Sequence, residues 1–102
     1  MFTNQGIKLL KKIIKKYGAD HQIDRVIEEC SELVKALLKF RRNKSGSPKA
    51  ILLRRDVVEE IADVIITVEH LKIIFDCETE VSAVINQKLA RQLERMEKEG
   101  KE

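Results

Sequence analysis

The chain has 102 residues, of which 43% are hydrophobic and 36% charged, so a disordered polypeptide is excluded and one domain is expected. Its formal net charge of +3 is too small to indicate a nucleic-acid partner, and with aromatic residues at only 4% the core must be aliphatic. No apolar run is as long as a membrane span, and Cys30 and Cys77 lack metal-ligand spacing, so we expect a cytoplasmic protein with reduced, buried cysteines.

The first predicted helix runs from Phe2 to Tyr17 and is amphipathic. Its apolar face carries Leu10 and Ile14, and Gly18 is well placed as the left-handed residue that ends it. Lysines cover most of the remaining surface: Lys8, Lys11, Lys12, Lys15 and Lys16. Such a face is typical of a solvated helix, and contact with nucleic acid or an anionic membrane stays open as the alternative.

The second helix should begin at an Asp20 N-cap and continue to about Phe40. Its apolar stripe consists of Val26, Ile27, Cys30, Leu33, Val34, Leu37 and Leu38. Glu29 and Glu32 stand three residues apart beside that stripe, so they are neighbours on the helix surface. His21 and Gln22 lie in the first turn on the side of Glu29, either as ordinary surface residues or as part of a ligand site.

A polar, basic and glycine-containing segment over residues 43–47 is the predicted linker. Ser47 and Pro48 suit an N-cap and a first helical position, so a long third helix should run from there to about Phe75. Its main apolar stripe consists of Val57, Val58, Ile61, Val64, Ile65, Val68 and Leu71. Further apolar residues lie on other sides of this helix and predict burial by a second subunit: Ile66, Ile73 and Ile74.

A line of polar residues follows the flank of that stripe: Asp56, Glu60, Asp63, Thr67 and His70. Packing against the second helix would bring Glu60 and Asp63 towards the upstream pair of glutamates. Carboxylates placed together repel and take up protons unless a cation lies between them. Mg²⁺ prefers a few carboxylates together with water and substrate phosphates, so the sequence predicts a magnesium site between two helices, with Mn²⁺ as a possible substitute.

The final helix is predicted from Cys77 to about Lys98, with Asp76 as its cap. Its expected buried line consists of Val81, Val84, Ile85, Leu89, Leu93 and Met96. Cations recur along one side of the helix at Lys88, Arg91 and Arg95. Such cations are usually solvated or paired with neighbouring glutamates, but beside a metal site they become candidates for binding substrate phosphates.

Two acidic motifs on consecutive helices carry a resemblance to a known family: Glu28-Glu29-x-x-Glu32 and Glu60-x-x-Asp63. Together with the order of the helices, they resemble the signature of the MazG-type all-α nucleoside triphosphate pyrophosphohydrolases. The resemblance extends over nearly the whole chain, and it is greatest to the small single-domain members found in phages and prophages. Two motifs in this order make a fairly specific signal, whereas either one alone is common on exposed helices.

The resemblance implies one domain over residues 1–102, an all-α bundle of four main helices that assembles as a dimer or tetramer. It also implies an enzyme of nucleotide-pool housekeeping that requires Mg²⁺. This enzyme would cleave a (d)NTP between the α and β phosphates and release a (d)NMP and pyrophosphate.

Site residues carried over from the family are implied in the same way. The positions that match the magnesium ligands are Glu29, Glu32, Glu60 and Asp63. Glu28 matches the first acidic position, which we place beside the ligands or as a helper in water activation. Lys88 and Arg95 match the cations that hold the phosphates, with Arg91 as a further candidate, and His21 or Gln22 would lie near the nucleobase. The chain departs from the family pattern at two points. It has Gln92 where many relatives have Asn, and it lacks their aromatic-proline ending. Both differences concern the contacts to phosphate and base.

A non-enzymatic dimeric helical module that contacts nucleic acid through its basic first helix is the alternative. This alternative explains the lysines of the first helix. It does not explain why carboxylate pairs stand beside the apolar stripes, where partial burial of their charge costs free energy. A di-iron bundle would need Glu-x-x-His pairs, and the chain has none. Under the enzyme hypothesis we expect neither a nucleic-acid nor a membrane partner. Three features stay open: the base and sugar specificity, the number of metal ions per site, and the choice between dimer and tetramer.

Overall fold

The computed structural model describes residues 1–43 and 46–100, and all regular structure in those two ranges is helical. The helices are α1 (Asn4–Tyr17), α2 (Ala19–Arg42), α3 (Pro48–Ile74) and α4 (Glu78–Gly100). The predicted all-α bundle is therefore confirmed. The predicted linker falls between α2 and α3, and two of its residues, 44 and 45, lie outside the described ranges. Within these ranges, no helix has a segment long and apolar enough to cross a membrane.

Threonine and glycine determine where α1 begins and ends. The backbone N–H of Gly6 donates to Thr3 Oγ1 at 3.0 Å, which caps the first turn. Gly18 has a φ of +93°, a value that favours glycine, and it ends α1 as predicted. Because α2 begins at Ala19, Gly18 is also the N-cap of α2. The predicted Asp20 cap is therefore wrong, and Asp20 lies in the first turn instead, where a carboxylate is favourable to the helix dipole.

The helix α3 begins as predicted, with Ser47 as its N-cap, but its end differs from the prediction. Asp76 has a φ of +49°, and its N–H donates to the carbonyl of Ile73 at 3.2 Å. The N–H of Cys77 donates to the carbonyl of Lys72 at 3.1 Å, which completes a Schellman motif. Asp76 therefore ends α3 and does not cap α4, in which the N–H of Val81 donates to the carbonyl of Cys77 at 2.9 Å.

The long helices α2 and α3 form an antiparallel hairpin, and α1 packs against both. The few buried residues in the described part of the chain include only two hydrophobic ones, Leu10 and Val26. The buried polar residues are Gln22, Thr67, Glu69 and His70. Polar side chains thus occupy much of the seam between α2 and α3, where an ordinary helical hairpin would place aliphatic ones.

Packing within one chain buries only part of each predicted apolar stripe. Val26 is buried and Val57 and Val64 are partly buried, but large apolar side chains of both helices stay exposed: Ile27, Val34, Leu37, Leu38, Val58, Ile61 and Val68. Cys30 is exposed and Cys77 is partly buried, so the expected burial of the cysteines is wrong. The apolar stripes are only partly buried because carboxylates also occupy the seam between α2 and α3. The remaining apolar residues of each stripe are therefore exposed to solvent.

The helix α4 leaves the hairpin and, among the described helices, contacts only α3. Apart from Val81, which is partly buried, its predicted buried line is exposed within one chain, with 44% of Val84 and 64% of Leu89 accessible to solvent. The radius of gyration is 17.6 Å, whereas a compact domain of this length would have about 13 Å. One chain therefore leaves an apolar helix face uncovered.

Candidate metal centre

The polar line of α3 faces α2 along the whole length of the seam. Asp56 and Glu60 line an acidic cavity of about 140 Å³ that also contains Glu32 of α2. Asp63, Thr67 and His70 line a larger cavity of about 500 Å³ next to it. The predicted line of polar residues therefore lies along both cavities between α2 and α3.

Three carboxylates meet where the two cavities adjoin. Glu29 from α2 and Glu60 and Asp63 from α3 each offer one oxygen, and these oxygens lie within 4.8 Å of one another. Glu29 and Glu60 are half-buried. The Oε2 atom of Glu60 is buried and has no hydrogen-bond partner among the described residues. An orphaned buried carboxylate oxygen beside two further carboxylates fits a hard divalent cation, which takes oxygen ligands.

The neighbouring carboxylates change the pKa of Glu60. Desolvation raises the pKa of Glu60 above its ordinary value, and the negative charges of Asp63, Glu29, Glu32 and Glu59 raise it further. Ionised Glu60 is therefore disfavoured in the folded protein without a cation. A divalent cation between the carboxylates would remove this cost.

Two of the predicted ligands have cationic neighbours on their own helix. Arg25 donates to Glu29 at 3.2 Å, and Lys35 donates to Glu32 at 3.4 Å. Glu32 does not belong to the three-carboxylate group, but it lines the acidic cavity together with Glu60. Glu28 is exposed, as its position one residue before Glu29 on the helix would suggest. The structure thus brings Glu29, Glu60 and Asp63 together, with Glu32 close by.

The larger cavity is lined by residues of α1, α2 and α3 and is open to solvent, and a chain of hydrogen bonds forms part of its wall. Gln22 donates from Nε2 to His70 Nδ1 at 3.0 Å, and its Oε1 accepts from His21 Nδ1 at 2.9 Å. Tyr17 stacks on His21 with 5.3 Å between ring centroids. Because His70 Nδ1 is an acceptor, the neutral ring carries its proton on Nε2, which has no partner in the described part of the chain. The cavity therefore combines an aromatic edge with polar groups suited to a flat heterocycle.

The burial of His70 predicts a pH-dependent stability. Desolvation and the positive charge of Arg25 lower the pKa of His70 below its ordinary value of 6.5. The unfolded chain takes up a proton near pH 6.5, whereas the folded chain does so only at lower pH, so the unfolded state binds more protons in that window. We expect the contribution of neutral His70 to be complete above pH 6.5 and to be lost as the pH falls below it.

Thermal unfolding at pH values above and about one unit below 6.5 measures this dependence. A His70→Gln variant should have a smaller loss of melting temperature over that range than the native chain. A control variant, Ser82→Ala, changes an exposed side chain of α4 that carries no titratable group, and it should keep the native slope. Equal slopes in the native chain and the His70→Gln variant would contradict the assignment.

The cations predicted to bind phosphates lie elsewhere in a single chain. Lys88, Arg91 and Arg95 are exposed on α4, and α4 does not contact α2 among the described helices. None of the three lines either cavity of the seam. Their approach to the carboxylates would require a second chain, and this stays a prediction.

Gln22 and His70, to which the sequence analysis assigned no definite role, form part of the wall of the larger cavity. Gln22 was expected at the surface or in a ligand site, and it is only 2% exposed. His70 continues the predicted polar line but is buried against Gln22 across the hairpin. For Gln22 a signal was present, because Val26 lies one helical turn away and is buried. No such signal marked His70, because Ile66, one turn before it, is itself exposed.

Comparison of the chain with protein-family models, with curated proteins and with solved structures found no match. The function must therefore be argued from the residues of the seam and their geometry.

Proposed function

We propose that the protein is a magnesium-dependent nucleoside triphosphate pyrophosphohydrolase that converts a (d)NTP to a (d)NMP and pyrophosphate. The observation that carries the proposal is the orphaned Oε2 of Glu60 beside Glu29 and Asp63, at the junction of two cavities. The sequence resemblance to MazG-type enzymes supports the same conclusion from the motifs. The homo-oligomer implied by that resemblance belongs to the proposal too.

The carboxylates of the seam would hold Mg²⁺, or Mn²⁺ in its place, through Glu29, Glu60 and Asp63, with Glu32 as a fourth oxygen donor. The bound ion would supply Lewis-acid chemistry by withdrawing charge from phosphate oxygens and acidifying water. Glu28, which is exposed one residue before Glu29 on α2, would help to orient water for attack. In-line attack at the α phosphorus breaks its bond to the bridging oxygen, and pyrophosphate leaves with that oxygen.

The larger cavity would bind the nucleobase. It lies beside Asp63, so a nucleotide whose α phosphate meets the carboxylates could place its base between Tyr17 and His70. Gln22 is hydrogen-bonded to both His70 and His21, which fixes the orientation of the two rings in the cavity wall. The chain thereby offers both parts of a nucleotide site on one seam.

Metal binding can be tested by thermal unfolding with and without Mg²⁺ and a nucleotide. We expect Mg²⁺ to raise the melting temperature of the native chain, because the cation offsets the repulsion around Glu60. The raised pKa of Glu60 means that its ionised form destabilises the metal-free fold above the unfolded value of 4.5, and the penalty is relieved as the pH falls through the folded pKa. Glu60→Gln should therefore raise the metal-free melting temperature and abolish the response to Mg²⁺.

The matched control for this experiment is Glu94→Gln, which removes an exposed carboxylate from α4. It should unfold as the native chain does, with and without Mg²⁺. Indifference of the native chain to Mg²⁺ and nucleotide would contradict the enzyme proposal and favour the helical module.

A further inference from the structure

Positive charge is concentrated at the corner where α2 ends and α3 begins. From residue 33 to residue 55 the sequence contains no Asp or Glu and eight cations: Lys35, Lys39, Arg41, Arg42, Lys44, Lys49, Arg54 and Arg55. This stretch directly follows Glu32 and directly precedes Asp56, so it adjoins both acidic motifs. Like charges gathered in this way repel, and an anion bound among them would relieve the repulsion.

Part of this basic stretch forms a cavity. Lys39, Arg42 and Asn43 at the end of α2 and Lys49 and Leu53 at the start of α3 line a space of about 250 Å³. None of the three cations forms an ion pair with a carboxylate of the described residues, although Lys35 and Lys72 do. The amino end of α3 adds the positive end of a helix dipole on the same side. The cavity therefore presents three cations, an amide and one apolar side chain to a small anion.

The basic cavity continues the polar seam. Lys39 and Leu53 line both this cavity and the acidic one that contains Glu32 and Glu60. Lys39 stands seven residues after Glu32, about 10 Å along the helix axis, and its long side chain can shorten that gap. The seam thus has an order: a cavity suited to a heterocycle, a carboxylate cluster, and a cationic cavity at the opposite end.

We propose that the cavity lined by Lys39, Arg42 and Lys49 binds the terminal phosphates of the nucleotide and the pyrophosphate released from it. This inference rests on the proposed function for the identity of the ligand, and on the seam for its position. It assigns the terminal phosphates to cations of the hairpin itself. The cations Lys88 and Arg95 of α4 would then act from a second chain or on other oxygens.

The test is calorimetric titration of inorganic pyrophosphate into the full chain at fixed ionic strength. The double variant Lys39→Gln/Arg42→Gln should bind pyrophosphate about a hundredfold more weakly, which is about tenfold for each charge-assisted hydrogen bond removed. The matched control Arg41→Gln/Arg55→Gln removes the same charge from the same stretch without altering the cavity, and it should bind as the native chain does. Equal losses in the two double variants would overturn the proposal, because they would indicate a general effect of surface charge.

A second measurement identifies the phosphates involved. In an Asp63→Asn background, which prevents turnover, the Lys39→Gln/Arg42→Gln change should weaken binding of a nucleoside triphosphate and leave a monophosphate unaffected. Equal weakening of both ligands would overturn the assignment to the terminal phosphates. Weaker binding of a single-stranded oligonucleotide with unchanged pyrophosphate binding would overturn it in favour of nucleic acid.

The inference and the proposed function can fail separately. If the native chain binds pyrophosphate through these cations but hydrolyses no nucleotide, the proposed function fails and the anion site stands. If the chain hydrolyses nucleotides but the Lys39→Gln/Arg42→Gln variant binds pyrophosphate as the control does, the anion site is overturned and the proposed function stands.

Discussion

Replacing Asp63 with asparagine should lower the rate of nucleotide hydrolysis by at least about a thousandfold, while the helical content stays native. The side chain keeps its shape but loses the charge that completes the three-carboxylate group with Glu29 and Glu60. Stabilisation of transition-state charge by a held cation contributes several kcal/mol, and each 1.36 kcal/mol corresponds to about tenfold in rate. The measurement is the steady-state rate at saturating Mg²⁺, with circular dichroism of the same sample.

The matched control is Asp24→Asn, which makes the same chemical change at an exposed position of α2 outside the cluster. It should keep the native rate. Glu32→Gln tests the fourth predicted donor, and we expect it to lose activity as well, because Glu32 lines the acidic cavity with Glu60. Near-native activity of the Asp63→Asn variant would remove this residue from the catalytic centre.

Introducing charge on α4 should dissociate the native assembly. Leu89 and Leu93 are 64% and 56% exposed in one chain, one helical turn apart on the face that was predicted to be buried. Burial of each such side chain contributes about 1.5–3 kcal/mol, so an exposed row of them favours association. We expect the native chain to be a dimer or tetramer in light scattering, and the Leu89→Glu/Leu93→Glu variant to be a monomer.

Gln92→Glu is the control for this experiment, because it adds one negative charge at an exposed polar position of the same helix. It should assemble as the native chain does. Mixing inactive Asp63→Asn chains with inactive Lys88→Ala chains then tests whether sites are shared, and recovered activity would place Lys88 beside the carboxylates of the other chain. A monodisperse, active native monomer would contradict the predicted assembly.

The hairpin and its carboxylates were accessible to sequence reasoning because both depend on local rules. Ser47 as an N-cap and Gly18 as a helix end follow from the conformations that these residue types favour, and the structure has both. The three-residue spacing of Glu60 and Asp63 fixes their common flank on α3 before any packing is known. The meeting of these two residues with Glu29 required only that this flank of α3 face the flank of α2 that carries Glu29.

Other features depended on competition between alternatives that the sequence leaves open. Asp20 and Asp76 are residue types that favour N-cap positions. In the structure, however, Gly18 is the N-cap of α2, and Asp76 belongs to the Schellman motif that ends α3. The partner of His70 could not be predicted, because Gln22 lies 48 residues away and the pairing depends on the register of the hairpin. Periodicity also does not determine what packs against α4. It identifies an apolar face of the helix but not the partner that covers this face.

Product analysis tests the central claim most directly. The native chain would be incubated with Mg²⁺ and a panel of nucleoside triphosphates, and the phosphate products would be separated and quantified. The account predicts stoichiometric pyrophosphate and nucleoside monophosphate from at least one substrate, with turnover abolished by a chelator. Orthophosphate and a nucleoside diphosphate as the products, or turnover that persists without a divalent cation, would contradict it.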